Sequence, residues 1–408
     1  MKNNRQPEIR FPEFEDDWKQ SELGDITIKI GSGKTPRGGS SVYTLSGIPF
    51  LRSQNIYNDT VNFSDVVYIT ESIDSDMANS RVQEGDILLN ITGASIGRSA
   101  VYEYFKFANV NQHVCIIRLN QNFEPNFLQL NLTSTKGQKQ IENSQAGGGR
   151  EGLNFQQISK MRFFFPNNKE EQTRIGEFLK LLDKTISLQQ QELTILKQTK
   201  QGFLQKMFPK EGEAVPEIRF SGFTDDWVER RLGELVVIRS GWSPSDFSES
   251  NESDGELYVK VDDLNYSQRE QTNSKMKVML HEKYSMMKKG SIIFPKRGAA
   301  IMTNKIRILG SDSYMDTNMM ALETNVTNVD FLYTFIARTG LFKIADTSTI
   351  PQINNKHIES YRIALPGEKE QIQIGNFFKK LDELIELQEQ ELEALQQTKK
   401  AFLQKMFV

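Results

Sequence analysis

The chain has 408 residues, too many for one hydrophobic core, which predicts two to three domains. About 38 % of the residues are apolar, yet no uncharged apolar run reaches the roughly 18 residues a membrane span needs, so none is expected. The formal net charge of −3 is unlike that of most free-standing DNA binders, which are basic, and one cysteine with three scattered histidines (His113, His281, His357) excludes a disulfide framework and a zinc cluster. The N-terminal residues turn acidic by Glu13 to Asp17 without a signal-type apolar stretch, and an intracellular protein is expected.

In chain order, Pro7-Glu-Ile-Arg-Phe11 comes first, with Phe14, Asp16, Asp17, Trp18, Leu23 and Gly24 behind it. Short apolar runs bounded by turn residues predict strands over 47–51, 86–90 and 114–118, and residues 127–143 carry a helical pattern. Loops rich in Gly, Ser, Asn and Arg lie at 31–41 and 147–152, and loops on a rigid scaffold commonly carry recognition. A long helix follows, with an apolar seam at Ile175, Leu179, Leu182, Ile186, Leu193, Leu196, Phe203 and Met207 whose spacings fit a heptad.

The order then repeats. Pro216-Glu-Ile-Arg-Phe220 with Trp227 returns at an offset of 216 − 7 = 209, strands are predicted over 257–261 and 291–294, and a helix over 329–344. The second seam runs through Ile374, Phe378, Leu381, Ile385, Leu392, Leu395, Phe402 and Met406, at an offset of 404 − 205 = 199 between the two Phe-Leu-Gln-Lys-Met-Phe runs. Both seams are interrupted at matching places, Gln189 with Lys200 and Gln388 with Lys399, and polar seam residues can fix register and partner. Each seam would otherwise expose its apolar stripe, so the two helices are expected to pair with each other; antiparallel pairing gives a pseudo-two-fold and a rod of about 50 Å. The reading is an α/β chain with two mixed α/β globules at 1–165 and 210–365 and spacer helices at 166–209 and 366–408. The repeated blocks stay alike while the stretches between them differ.

Gly31-Ser-Gly-Lys-Thr35 imitates the end of a phosphate-binding loop, but the position of its first glycine is Ile28 and Pro36 blocks the helix that should follow. No Asn-Pro-Pro-aromatic or Asp-Pro-Pro-aromatic tetrapeptide occurs, and no Glu-Xaa-Lys follows Asp262 or Asp263. Catalysis by this chain is therefore not expected.

The chain resembles the specificity subunits of Type I restriction-modification systems. The likeness rests on the two-fold repeat, Leu23-Gly24-Asp25 and Leu232-Gly233-Glu234, Gly85-Asp-Ile-Leu-Leu, Thr92-Gly-Ala-Ser-Ile-Gly97, Asn111-Gln112-His113, the approaches to Pro166 and Pro366, and the Glu-Gln-Xaa-Xaa-Ile-Gly helix starts at Glu171 and Glu370. The second half departs from it at Gly290-Ser-Ile-Ile-Phe294 and Asp316-Thr-Asn318. The resemblance implies two target recognition domains, each reading one half of a split, asymmetric target in double-stranded DNA. It implies helices that set the gap and dock two modification (methyltransferase) subunits and restriction (translocase and nuclease) subunits. S-adenosylmethionine, ATP and Mg then belong to those partners, with no cofactor on this chain and a cytoplasmic setting.

Neither globule is basic as a whole, with 17 basic and 18 acidic side chains over 1–165 and 20 and 22 over 210–365. A near-neutral reader works if partners supply phosphate attraction and its own cations share one face. Arginine suits guanine, asparagine and glutamine suit adenine, and lysine suits phosphate. The expected DNA-binding residues are Lys34, Arg37, Arg52, Gln54, Asn55, Arg98, Gln112, His113 and Arg150, then Arg239, Lys260, Lys296, Arg297, Lys305, Asn318 and Gln352.

Overall fold

The computed structural model describes residues 6–104, 106–145, 152–250, 255–347 and 350–408. It divides into two units, one of Met1–Leu188 with Leu392–Val408 and one of Gln189–Glu391. Each unit therefore holds a globule, part of the long helix Lys169–Lys206 and part of the long helix Glu368–Lys405.

In the first unit the strand Lys19–Glu22 pairs antiparallel with Arg162–Phe165 and closes the globule at its two ends. Two four-stranded sheets lie between. One runs in the order Thr27–Ser32, Val114–Leu119, Ile87–Asn90, Ser99–Val101, and the other Val67–Ile69, Ile48–Leu51, Ala108–Val110, Arg81–Val82. The central strand Ile87–Asn90 reads as an unbroken apolar run because both of its faces are covered: Ile87 and Leu89 enter the core around Trp18, whereas Leu88 enters the core around Tyr102.

The second unit repeats the plan with Val228–Arg231 against Arg362–Leu365. Its larger sheet has five strands, Val237–Ser240, Met319–Glu323, Ile292–Pro295, Arg307–Leu309 and Glu270–Gln271, and its smaller one has Met276–Val278, Glu256–Val259 and Tyr314–Met315. Ile292 and Phe294 face the core around Trp227, and Ile293 faces a second core with Val259 and Met315.

Both helices expected ahead of the long ones are broken. The pattern over 127–143 becomes Pro125–Thr133 and Thr135–Gln145, separated at Ser134, whose backbone is extended and whose hydroxyl accepts from the Gly137 N–H at 3.1 Å. A serine that caps a new helix start interrupts a periodic pattern without altering its apolar spacing. The pattern over 329–344 becomes Val329–Thr339 and Leu341–Ile344, split at Gly340, whose φ of +87° is left-handed and open to glycine.

The Glu-Gln-Xaa-Xaa-Ile-Gly starts of the long helices do the same work twice. Glu171 accepts from Arg10 at 2.7 and 2.9 Å and from the Trp18 indole at 3.2 Å, while Glu370 accepts from Arg219 at 2.6 and 2.8 Å. Gln172 donates to the Pro166 carbonyl and accepts from the Glu124 N–H; Gln371 does so with Pro366 and Asn328. Ile175 and Ile374 enter the two cores. At Gly375 a Cβ would lie 2.8 Å from the Phe331 nitrogen, so only glycine lets the Val329–Thr339 helix approach this closely.

The long helices pair antiparallel. In the first unit Phe178, early in one, meets Phe402, late in the other, with ring centroids 5.0 Å apart. In the second unit Phe203 meets Phe377 at 5.1 Å. Of the expected seam, Ile175, Leu179, Leu193, Ile374, Phe378, Ile385 and Leu392 are buried, and Leu182, Ile186, Leu196, Phe203, Leu381, Leu395 and Phe402 are half-buried. Ile175 and Leu179 share a core with Met406 and Phe407, and Ile374 and Phe378 share one with Met207 and Phe208. The start of one helix and the end of the other are thus sealed into the same globule.

Candidate nucleic-acid interface

Each unit carries a loop edge built on the same backbone device. In the first, a Cβ at Gly33 would fall 1.6 Å from the Val110 carbonyl oxygen; in the second, a Cβ at Gly241 would fall 2.1 Å from that of Met315. Only glycine allows the loop after the first sheet strand to press against the loop of Asn111 or of Asp316. A second crossing matches as well, since Thr92 bridges to Gly152 in one unit and Arg297 to Gln352 in the other.

On this edge of the first unit, Thr35, Gln112, His113 and Thr92 form one polar chain. The Thr35 hydroxyl donates to Gln112, the Gln112 amide lies 3.2 Å from His113 Nε2, and His113 Nδ1 lies 2.6 Å from the Thr92 hydroxyl. Lys34 and Arg37 flank it, exposed. Arg98, also exposed, stands 5.7 Å from the centre of the exposed Tyr57 ring. On the edge of the second unit, Lys296 Nζ donates to the Ser240 hydroxyl at 2.9 Å and its backbone N–H to the Asn318 carbonyl, while the Asn318 amide donates to Asp316 at 2.8 Å. Burial, with Arg297 beside it, pushes the Lys296 ammonium below its ordinary value, so an arriving anion would relieve it. Among the described residues Lys34, Arg37, Arg98 and Arg297 make no ion pair. Both edges can therefore offer cations and amides to phosphates and base edges.

Residues 15–198 and 224–397 each match the family model described as "Type I restriction modification DNA specificity domain". The chain belongs to this family. A Methanocaldococcus jannaschii protein with the provisional name type I restriction enzyme MjaX specificity subunit is 25 % identical over 410 residues, covering 96 % of this chain and 93 % of the relative. The crystal structure of a Type-I restriction-modification system S subunit from M. genitalium shares the fold, with a TM-score of 0.62 at 15 % identity over 99 % of both chains. A chain from a study of complex assembly and conformational transition of the type I R-M system gives 0.52 at 16 % identity, over 95 % of this chain and 97 % of that one.

The family is a non-catalytic DNA-recognition family, and methylation and cleavage lie in other subunits. Among the described residues no group of His, Cys, Asp or Glu is placed to hold a metal ion, and no helix is long and apolar enough to cross a membrane.

Within this specificity fold, four residues expected to contact DNA, Asn55, Arg239, Arg52 and Gln54, are engaged otherwise. Asn55 is fully buried, accepting from the Arg52 N–H at 2.9 Å and donating to the Asn62 carbonyl and to Asp65 at 2.8 Å. Its amide is spent on holding its own loop. Arg239 is paired with Glu323 at 3.1 Å and donates twice to Ser285, so its guanidinium is occupied away from the loop edge. Arg52 and Gln54 also turn to Asp65. Lys260 lies near the Tyr258 ring, and Lys305 donates to Asn265. Arg297 and Gln352 are brought together by their backbone bridge, and Arg150 falls outside the described residues.

The sequence reading missed Thr35 and Thr92, which link Gln112 and His113, and Asp65, which gathers three neighbours. It also missed Tyr266, 70 % exposed, with Lys275 Nζ 4.4 Å from its ring centre. A single aromatic inside the polar run Asn265-Tyr-Ser-Gln-Arg-Glu270 was the available signal.

Proposed function

We propose that the chain reads a split, asymmetric target in double-stranded DNA, one half-site by each recognition domain. The observation that carries this reading is the pair of equivalent loop edges with unlike side chains: Thr35, Thr92, Gln112 and His113 on one, Ser240, Lys296, Arg297 and Asn318 on the other. A common backbone carrying different hydrogen-bonding groups presents different base preferences. The domains are 1–165 and 210–365, with spacer helices at 166–209 and 366–408. Lys34, Arg37, Arg98, Gln112 and His113 serve the first half-site, and Lys260, Lys296, Arg297, Lys305, Asn318 and Gln352 the second.

The long helices set the gap and dock two modification subunits and the restriction subunits. What supports this is apolar surface left open on them, at Leu181 and Leu188 in the first unit and at Ile195, Leu384 and Leu387 in the second. S-adenosylmethionine, ATP and Mg belong to those partners, and the complex works in the cytoplasm. Mapping methylated adenines across the genome with and without this gene is the test. A split motif with an unspecified gap is expected to disappear when the gene is removed; a continuous palindrome would overturn the reading.

A further inference from the structure

The lysines that interrupt the two seams are placed alike. In the first unit Lys399 pairs with Asp183 of the other helix, and in the second Lys200 pairs with Asp382; both members of each pair belong to the repeated framework. Each pair is joined by one charged residue from a stretch that differs between the halves. In the first unit this is Asp59, 3.2 Å from Lys399. In the second it is Arg269, which bonds Asp382 and reaches Asp330 at 2.6 Å.

Neither contact is a loose surface pair. Arg269 is 5 % exposed at its side chain and lies 4.4 Å from the centre of the Tyr333 ring. Asp59 sits in the two-residue turn between the strands Ile56–Tyr57 and Thr60–Val61, with φ of +68°, a left-handed conformation that costs a non-glycine residue energy. Its turn is held by the Ser99 carbonyl at 3.0 Å, and the buried Gln129 amide donates to its carboxylate at 2.8 Å. The carboxylate carried by this turn is aimed at a helix lysine and held in place by the Gln129 amide. Lys399 keeps its proton more firmly than an ordinary lysine: burial works against its charge, and Asp59 and Asp183 outweigh it.

We infer that the repeated Lys–Asp pair is a docking socket on the long helices. Asp59 and Arg269 are the positioning residues that seat each variable domain in it, the first through the lysine and the second through the aspartate. Because the socket offers both signs, domains of unrelated sequence can use one helix frame with either counter-charge. Seating limits the tilt of each reader on its helices, and so how strictly the gap between half-sites is measured. That last consequence rests on the half-site reading above; the socket itself does not.

Asp59→Asn keeps a residue that tolerates the left-handed turn and removes only the charge. The test uses the full chain with spin labels at Asp76→Cys and Glu177→Cys, both exposed positions in the first unit, with Cys115 buried and left in place. The Asp59→Asn distance distribution should broaden, and Asp59→Gly, which suits the left-handed turn and also lacks the charge, should broaden it likewise. An unchanged width in Asp59→Asn overturns the socket, whatever the DNA result. In the assembled methylating complex, duplexes carrying the mapped target with one base pair added to or removed from the gap should gain methylation about two- to fivefold relative to the native gap, the scale of one partly exposed ion pair. Base preference within each half-site should stay the same. If the distribution broadens and gap tolerance does not change, the socket seats the domain but the claim that this seating sets how strictly the gap is measured is overturned. If the unaltered complex methylates no split target, it is the half-site reading that fails, and the distance result still decides the socket. Arg269→Gln, labelled within the second unit, gives the independent second case and should broaden likewise.

Discussion

Arg10 donates two hydrogen bonds, of 2.7 and 2.9 Å, to the carboxylate of Glu171, a side chain 1 % exposed and 161 residues away. Arg219 holds Glu370 in the same way. Removing the arginine alone leaves a buried carboxylate without its charged partner, which costs about 3–5 kcal/mol. Arg10→Ala should therefore lower the unfolding free energy by that amount, read from a lower denaturation midpoint, with faster amide exchange in the first unit. Arg219→Ala should do so in the second. Equal loss of protection in both units from either variant would contradict the local role.

Leu193 and Leu392 are 4 % and 7 % exposed on the paired helices. An aspartate at either site puts an unpaired charge where water is excluded, at a cost of about 2–4 kcal/mol. The double variant Leu193→Asp with Leu392→Asp should separate the helices and fail to co-purify with the modification subunit. Normal assembly would show that these leucines are not the seam's interior.

Lys34 is exposed and makes no ion pair among the described residues. As a phosphate contact, its loss in Lys34→Ala should reduce the salt slope of DNA binding by about one, with base preference retained. Arg297→Ala should instead cost about 1–3 kcal/mol on the cognate target and relax preference at one position of one half-site. Salt titrations of the assembled complex on target and scrambled duplexes separate the two behaviours.

Replacing residues 27–150 by the matching stretch of another family member should rewrite one half-site and leave the other intact. Inserting a heptad into both long helices should lengthen the gap and alter neither half-site. Methylome mapping reads both, and a graft that changed both half-sites would remove the two-reader model.

Burial pushes the Cys115 thiol up to about 12, so almost none is thiolate near neutral pH. Native protein should react with iodoacetamide far more slowly than denatured protein at pH 8, with one thiol released on unfolding. Fast labelling of the folded chain would contradict the buried strand position.

Repetition and periodicity settled the plan of this protein from its sequence alone. Two copies of Pro-Glu-Ile-Arg-Phe, two Glu-Gln-Xaa-Xaa-Ile-Gly starts and two heptad seams fix the repeat, the long helices and their mutual need, because burying an apolar stripe constrains residue spacing directly. The breaks at Ser134 and Gly340 were harder to see, since a cap or a left-handed residue stops a helix without disturbing that spacing. Only the tertiary structure decided which polar side chains remain free. Asn55 and Lys34 look equally suited to DNA in sequence, yet one is enclosed by Asn62 and Asp65 while the other stays open. Arg239 is occupied by Glu323, 84 residues on, and Lys399 by Asp59, 340 residues back. Charge partners are chosen by where strands and turns bring them in space, and no local period in the chain records that choice.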